Sequence, residues 1–336
     1  MKNMNLVTGA TGLLGSHIVE QLHMRGEKVR VLVRPGSDTR FLDSLGVEKI
    51  YGDLSDHDAL KKATQGVRVV YHSAAKVGDW GKWEEFQQGT IDGSRNLIHA
   101  ASQAGIERFL HISTISVYGY VDGEGLVIDE TAPLGRNLYR WSYYSKAKIE
   151  VETMIRQWHK EGRIKASIVR PSWLYGERDR ASIGRMVDAI RKRKVKIIGD
   201  GNNRLSLSYA GNVAQGAILV ANTPEALGEV YNCCSDGVIT LSEYWNTIAK
   251  ALNAGPVTKK VPYKVARTAG LIMEVAGKMI GMKHPPFISR YAAWLMGRRV
   301  LYSNEKIRAL GWKPAVSFEV GIPKTVKWYL DQRDTH

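Results

Sequence analysis

The sequence predicts an α/β fold: a doubly wound parallel sheet of the Rossmann type, with a smaller, discontinuous substrate domain in the C-terminal half. Three observations predict it. Gly9, Gly12 and Gly15 stand at G-x-x-G-x-x-G spacing in Thr8-Gly9-Ala10-Thr11-Gly12-Leu13-Leu14-Gly15. An apolar strand (Met4, Leu6, Val7) leads into this turn, and a helical pattern (Leu14, Ile18, Val19, Leu22) follows it. Strand and helix patterns then alternate through the first half of the chain.

The glycine turn explains itself physically. Backbone N–H groups and the helix N-terminus can face a pyrophosphate there, and the missing Cβ atoms allow close approach. Further short apolar or β-branched runs follow at Val29–Val33, Glu48–Tyr51, Val67–His72, Arg108–Ile112 and Ala166–Val169, each separated by a helical pattern. From Pro171 the pattern loosens. Strands are expected at Val195–Ile198, Arg204–Tyr209 and Val230–Cys233, and residues 263–281 place Val265, Ala269, Ile272, Val275, Ala276 and Met279 on one helix face. The expected division is a dinucleotide-binding domain over residues 1–170, with return segments near 195–215, and a mainly substrate-binding domain over 171–336. In such sheets the ligand lies at the carboxyl ends of the strands, so the second half should cover that edge.

Composition narrows the class. The 336 residues carry 48 basic and 33 acidic side chains, a net charge of +15. That excess invites nucleic acid or an anionic surface. No nucleic-acid motif accompanies it, however, and Arg191-Lys192-Arg193-Lys194 reads as a solvated helix end that complements the C-terminal dipole. A peripheral membrane contact is compatible with the charge but is not the expectation. No apolar stretch reaches the ~18 residues of a membrane span, and residues 1–7 enter the first strand at once, so a cytoplasmic protein is expected. Cys233 and Cys234 are adjacent, which suits neither a disulfide framework nor a C-x-x-C metal or redox site. No metal site is expected.

Tyr144 and Lys148 stand four apart on a helical pattern that continues through Met154, Ile155 and Trp158, so they share a face. A tyrosine with its ordinary pKa near ~10 is a poor proton donor or acceptor at neutral pH, and an ammonium group beside it favours the phenolate. General acid–base chemistry needs such tuning. An alternative register puts Ser142 in the tyrosine's place and Lys146 in the lysine's, but it lacks the acid–base group.

T-G-A-T-G-L-L-G at the start, with Y-S-K-A-K-I-E-V-E near residue 150, resembles the extended short-chain dehydrogenase/reductase family, the NAD-dependent epimerase/dehydratase superfamily. The likeness spans essentially the whole chain. Gly52-Asp53-Leu54, His72-Ser73-Ala74-Ala75, Ser113-Thr114 before Val117-Tyr118-Gly119, and Arg170-Pro171-Ser172 before Tyr175-Gly176 fall in the family's order. The resemblance implies that Tyr144 exchanges the substrate proton and that Lys148 tunes Tyr144 and holds the nicotinamide ribose. It makes Thr114 the hydroxyl that polarises the substrate oxygen, with Ser113 second. It also implies that the cofactor lies along Gly9, Thr11, Gly12, Leu13, Leu14 and Gly15, between Asp53 and Leu54 at the adenine, and against Ala74, Ala75, Lys76, Pro171 and Ser172.

Two departures from the family pattern matter. Thr90 stands where an Asn is usual, which leaves that residue's role open. Arg34 ends strand two in place of the acid that holds the ribose hydroxyls of NAD, with Arg40 close behind. Arginine pairs with the 2′-phosphate, so NADP(H) is the expected cofactor and NAD(H) the alternative.

Ile115-Ser116 replaces the Asp-Glu pair of the sugar dehydratases, which argues against dehydration. The loop from Ala74 to Trp83 and the tail from Pro285 to Arg308 resemble the 3β-hydroxysteroid dehydrogenase branch, with bacterial reductases of long-chain 2-alkyl-3-oxo acids. Hydride transfer at a 3-hydroxy or 3-keto carbon of a steroid-like or long-chain β-keto substrate is the expected reaction. Trp80, Trp83, Met273, Met279, Met282, Trp294 and Met296 suit an adaptable apolar wall, or ordinary core. Two other functions stay open. A nucleotide-sugar epimerase would grip its diphosphate through Arg178, Arg180 and Arg185, and a non-catalytic NAD(P)-binding protein would commonly have lost Tyr144 or Lys148. The resemblance further implies a homodimer, pairing Leu97, Ile98 and Ala101 with Ile149, Met154, Ile155 and Trp158, although these residues could equally face the sheet.

Overall fold

The computed structural model describes residues 3–78, 80–234, 237–282 and 284–334. Seven strands form the sheet: β1 (Met4–Thr8), β2 (Lys28–Val33), β3 (Glu48–Tyr51), β4 (Val67–His72), β5 (Arg108–Ile112), β6 (Ala166–Pro171) and β7 (Val230–Cys233). Their spatial order is β7-β6-β5-β4-β1-β2-β3, and every neighbouring pair is parallel. The order reverses beside β1, so the crevice for a ligand opens at the carboxyl ends of β1 and β4. The inner strands are covered on both faces, which is why they read as continuous apolar runs rather than as alternation.

Helices fill both layers. The face holding Leu14, Ile18 and Leu22 of α1 (Leu13–Met24) is closed by Val213, Ala217 and Ile218 of a second helix, Ala210–Asn222. The opposite face is covered by α2 (Gly93–Gln103) and α3 (Tyr143–Lys160). Leu97, Ile98, Ala101 and Ile155 are fully buried against this face. They therefore pack on the sheet, leaving Met154 and Trp158 half-buried at its margin.

The second half leaves the sheet after Pro171 and returns through Leu207–Tyr209, the helix Ala210–Asn222 and β7. Around it a separate core gathers on the helices Ile183–Arg191, Leu241–Ala251 and Phe318–Asp334. Arg191 to Lys194 lie exposed at a helix end, as their charge suggests. Both cysteines are buried thiols outside any disulfide, Cys233 on β7 and Cys234 just after it.

The helix α4 (Tyr263–Met279) departs from expectation. Its inward stripe is Ala266, Gly270, Glu274 and Gly277, while Val265, Ile272, Val275 and Met279 are exposed. The apolar face legible in the sequence is real, but it is neither core nor an enclosed wall. Small residues turn inward because the helix α5 (Arg290–Gly297) lies so close that a Cβ on Gly270 would stand 2.7 Å from the Ser289 carbonyl carbon.

Candidate active site

The glycine turn is shaped by what surrounds it. Gly9 has φ +72°, and a Cβ there would lie 2.8 Å from the Ala74 nitrogen; a Cβ on Gly15 would lie 2.1 Å from the Gly9 oxygen. Neither position accepts a side chain. Gly12 caps α1 in extended conformation, with no side chain occupying the helix end and no acidic residue in the first turn. A cradle that Cβ atoms would fill, open at a helix N-terminus, fits the pyrophosphate of a nicotinamide dinucleotide. Bound along this turn, such a cofactor supplies or accepts a hydride.

Beyond β2, Arg34 is exposed, and its charge reaches Asp53. Hydrogen bonds from Ser55 hold Asp53 below the usual carboxylate range, and Arg34 adds to the effect. The acid nearest in sequence, Asp38, is engaged by Arg40 at 2.8 Å and by Arg180 at 3.0 Å, and Arg40 above all holds its carboxyl far below the ordinary range. The strand-two corner thus presents a guanidinium outward and keeps its carboxylate in ion pairs.

Lys148 lies on the buried side of α3. Its Nζ donates to the Ile112 carbonyl at 2.6 Å and meets His111 Nε2 at 3.2 Å. Burial lowers its pKa to about 7, opposed by the negative charge of Glu152 one turn further on. Lys146, by contrast, donates to the Arg140 carbonyl at the surface, so the register with Ser142 and Lys146 provides no buried ammonium. Tyr144 is half-buried one turn before Lys148, and Thr114 is buried at the end of β5.

Sequence reasoning missed the layer beneath. His72 and His111 are register partners at the ends of β4 and β5, with ring centroids 5.4 Å apart. His72 Nδ1 is hydrogen-bonded to Thr8 Oγ1 at 2.8 Å and Nε2 to Ser94 Oγ at 2.9 Å. Burial, with the Lys148 charge nearby, pushes His72 down to about 3 and His111 well below its usual value. Both rings are neutral at physiological pH, so His111 Nε2 can accept a hydrogen bond from the Lys148 ammonium. Two histidines ending adjacent parallel strands were the available signal.

Lys148 makes stability pH-dependent in a definite direction. Its folded pKa lies below the ~10.4 of an unfolded lysine, so from about pH 7 to 10 the unfolded chain binds more protons and stability rises with pH. Below pH 7 both states are protonated, and the buried ammonium destabilises the fold by its full amount. The wild type minus Lys148→Met difference in unfolding free energy should therefore climb across this window by a few kcal/mol at most. A flat difference from urea titrations at several pH values would contradict the assignment.

The hydroxyls form a chain toward the second half. Thr114 Oγ1 accepts from the Ser116 amide and donates to Ser116 Oγ, both at 3.2 Å, and Ser116 Oγ lies 3.3 Å from Tyr291 Oη. Tyr291 opens an aromatic group: Tyr120 stands 4.6 Å from Trp294 and 4.7 Å from Tyr139, which stacks on Trp141. Met296 packs instead on the separate core of the second half, and Met282 and Trp80 lie at the outer rim, where Trp80 Nε1 donates to the Met282 carbonyl.

The loop after β4 is fixed by the residue whose role the sequence left open. Thr90 is fully buried, and its Oγ1 accepts from the Lys76 amide at 3.0 Å. The Lys76 side chain is drawn to Glu85 at 2.6 Å. Leu54 packs against Gly93 of α2, and Pro171 and Ser172 close the far side, Ser172 Oγ bonding Ser208 Oγ at 2.7 Å. The structure thus gathers the turn, the Ala74–Lys76 loop, Lys148 and Thr114 around the carboxyl ends of β1, β4 and β5, with Arg34 and Asp53 at the outer end.

Comparison with known proteins agrees with this geometry. The model of the NAD dependent epimerase/dehydratase family matches residues 5–234, and the chain belongs to that family. The 4-hydroxy-2-methyl-3-oxo-4-farnesyl-3,4-dihydroquinoline-1-oxide ketoreductase of Stigmatella aurantiaca is 28% identical over 318 residues, covering 94% of this chain and 93% of that protein. A 2-alkyl-3-oxoalkanoate reductase of Stenotrophomonas maltophilia is 30% identical over 324 residues, covering 94% and 96%. The UDP-glucose 4-epimerase of Thermus thermophilus, solved in complex with NAD, superposes with a TM-score of 0.75 at 25% identity, over 97% of this chain and 99% of that one. The chain is an enzyme of the extended dehydrogenase/reductase type.

Proposed function

We propose that the protein is an NADPH-dependent reductase, equally a dehydrogenase in reverse, acting at a 3-keto or 3-hydroxy carbon of a hydrophobic, steroid-like or long-chain β-keto substrate. The observation that carries this reading is the aromatic group running from Ser116 and Tyr291 through Tyr120 to Trp141 and Trp294, directly behind the Thr114 hydroxyl. Flat apolar walls with few polar handles suit a lipid-like molecule. Both ketone-reducing relatives carry a 3-oxo group in their substrates' names. In this reading Thr114 polarises the ketone oxygen, Tyr144 delivers the proton, and Lys148 orients the ribose and supports the phenolate.

The epimerase alternative loses its grip on a diphosphate. Arg178 is bound to Glu20 at 2.6 Å and to Ser16 at 2.9 Å, and Arg180 pairs with Asp38, so two of the three basic groups are engaged within the protein. Arg34 beside Asp53 favours the 2′-phosphate of NADPH. We further place the enzyme in the cytoplasm as a homodimer along the outer edges of α2 and α3, where His99 and Trp158 meet edge-on; a monomeric mass by light scattering at micromolar concentration would oppose the dimer.

The test is stoichiometric. Purified protein is incubated with NADPH and a panel of 3-keto steroids, 2-alkyl-3-oxo acids and nucleotide sugars. One NADPH consumed per hydrophobic product is expected; sugar interconversion without net NADPH loss would replace the reductase reading by the epimerase. In the same assay Arg34→Ala should weaken NADPH binding by about tenfold to a hundredfold, as expected for losing a charge-assisted hydrogen bond, and leave NADH unchanged. Equal affinity of the wild type for both cofactors, unaltered by the substitution, would remove the NADP assignment.

A further inference from the structure

We propose that α4 is an interfacial helix that docks the enzyme on an anionic membrane surface, beside the aromatic group that leads to Thr114. Val265, Ile272 and Met279 stand seven residues apart with Val275 among them, and all four are at least half exposed. They lie on the side opposite the buried stripe of Ala266, Gly270, Glu274 and Gly277. Leu271 and Ile280 widen this face at 41% and 76% exposure. A contiguous apolar surface of this kind marks an interaction site.

The charges identify the occupant. Lys264, Arg267 and Lys278 are exposed on α4, whereas its one carboxylate, Glu274, is turned inward onto Arg290 at 2.7 Å. An apolar ridge on a helix whose own exposed charges are all cations has the composition of a helix lying in a lipid headgroup layer, and the whole chain carries +15. A second copy seated on the same ridge would bring cations against cations, without the opposite-sign pairs that flank a helix–helix seam. Among the described residues no helix is long and apolar enough to cross a membrane, so attachment would be peripheral.

The ridge is continuous with the candidate site. Arg267 donates to Tyr139 Oη at 3.3 Å, and Arg290, held by Glu274, lies 4.4 Å over the Trp141 ring. Trp141 and Tyr139 belong to the aromatic group that reaches Ser116 through Tyr120 and Tyr291. Delivery of substrate from the bilayer rests on the hydrophobic-substrate reading above; docking itself does not.

Co-sedimentation of the full chain with phosphatidylcholine vesicles, with and without about three parts in ten of phosphatidylglycerol, tests the docking. Binding to the anionic vesicles only, reversed by high salt, is expected. Ile272→Glu combined with Val275→Glu should weaken it about tenfold or more, and leave melting temperature and NADPH-dependent turnover of a short, water-soluble 3-oxo substrate unchanged. Failure of the wild type to sediment with anionic vesicles, or equal sedimentation of the variant, overturns the proposal. So does a doubled mass in solution that the variant abolishes without any vesicle binding, which would give the face to a second copy. Vesicle binding without turnover of any hydrophobic ketone would leave docking intact and defeat the substrate reading alone.

Discussion

Tyr144→Phe is expected to lower kcat/KM by about 10² to 10⁴, the contribution of a positioned general acid, while leaving NADPH affinity nearly unchanged. The reason is local. The substitution removes one hydroxyl from a half-buried ring and alters no part of the glycine turn, the Ala74–Lys76 loop or Arg34. The loss corresponds to about 3–5 kcal/mol of transition-state stabilisation. Lys148→Met should damage both quantities, because the lysine holds the ribose and also places a cation near the phenol. Its side chain is anchored on Ile112 and His111, at the floor of the site, so methionine removes a fixed donor rather than a mobile one. Steady-state kinetics and cofactor titration by fluorescence separate the two variants. If Tyr144→Phe kept more than about a tenth of wild-type kcat/KM, a deficit under ~1.4 kcal/mol, another group would be the proton donor.

The parts of this site that sequence exposes are those whose chemistry depends on spacing along one element. Three glycines in one turn and two residues four apart on one helix are local facts, and both landed where the spacing puts them. What sequence hid depends on contacts between elements. Thr90 anchors the Lys76 amide from fourteen residues away, and nothing in its neighbourhood announces that bond. The His72–His111 pair exists only because β4 and β5 lie side by side in matching register. Helical periodicity correctly gathered the apolar residues of α4 on one face, but periodicity cannot say whether a face is covered. Here close packing of α4 on α5 selects glycine and alanine for the inner side and leaves the larger side chains outside. The same ambiguity affected α2 and α3, whose apolar residues could serve a sheet or a partner, and whose deepest positions face the sheet.

Glu152 offers the largest structural effect. It stands four residues after Lys148, so Tyr144, Lys148 and Glu152 lie along one face of α3, and it is fully buried. Arg170 of β6 binds it twice, Nε to Oε1 at 3.0 Å and Nη2 to Oε2 at 2.6 Å, and donates from Nη1 to Tyr118 Oη at 2.8 Å. Tyr118 in turn donates to Asn232 of β7 at 2.8 Å. The network ties the helix carrying the acid–base pair to two strands and to the turn after Thr114. Glu152→Ala leaves a buried guanidinium without its carboxylate and should cost about 3–5 kcal/mol, a fall of roughly 4–7 °C in Tm for a chain of this size. Replacing both partners, Glu152→Leu with Arg170→Met, removes the stranded charge and should cost clearly less than the two single changes added together. A second effect separates this residue from a merely structural one. Glu152 raises the Lys148 pKa against the lowering by burial, so Glu152→Gln, which keeps the shape and drops the charge, should move the Lys148 ionisation below 7. Less ammonium would then be present at neutral pH, and the alkaline limb of the pH profile of kcat/KM, where the protonated lysine is lost, should shift to lower pH. Measured by urea unfolding and by kinetics across pH 5 to 9, additive stability losses together with an unmoved profile would show that the ion pair neither couples the helix to the sheet nor acts on the lysine.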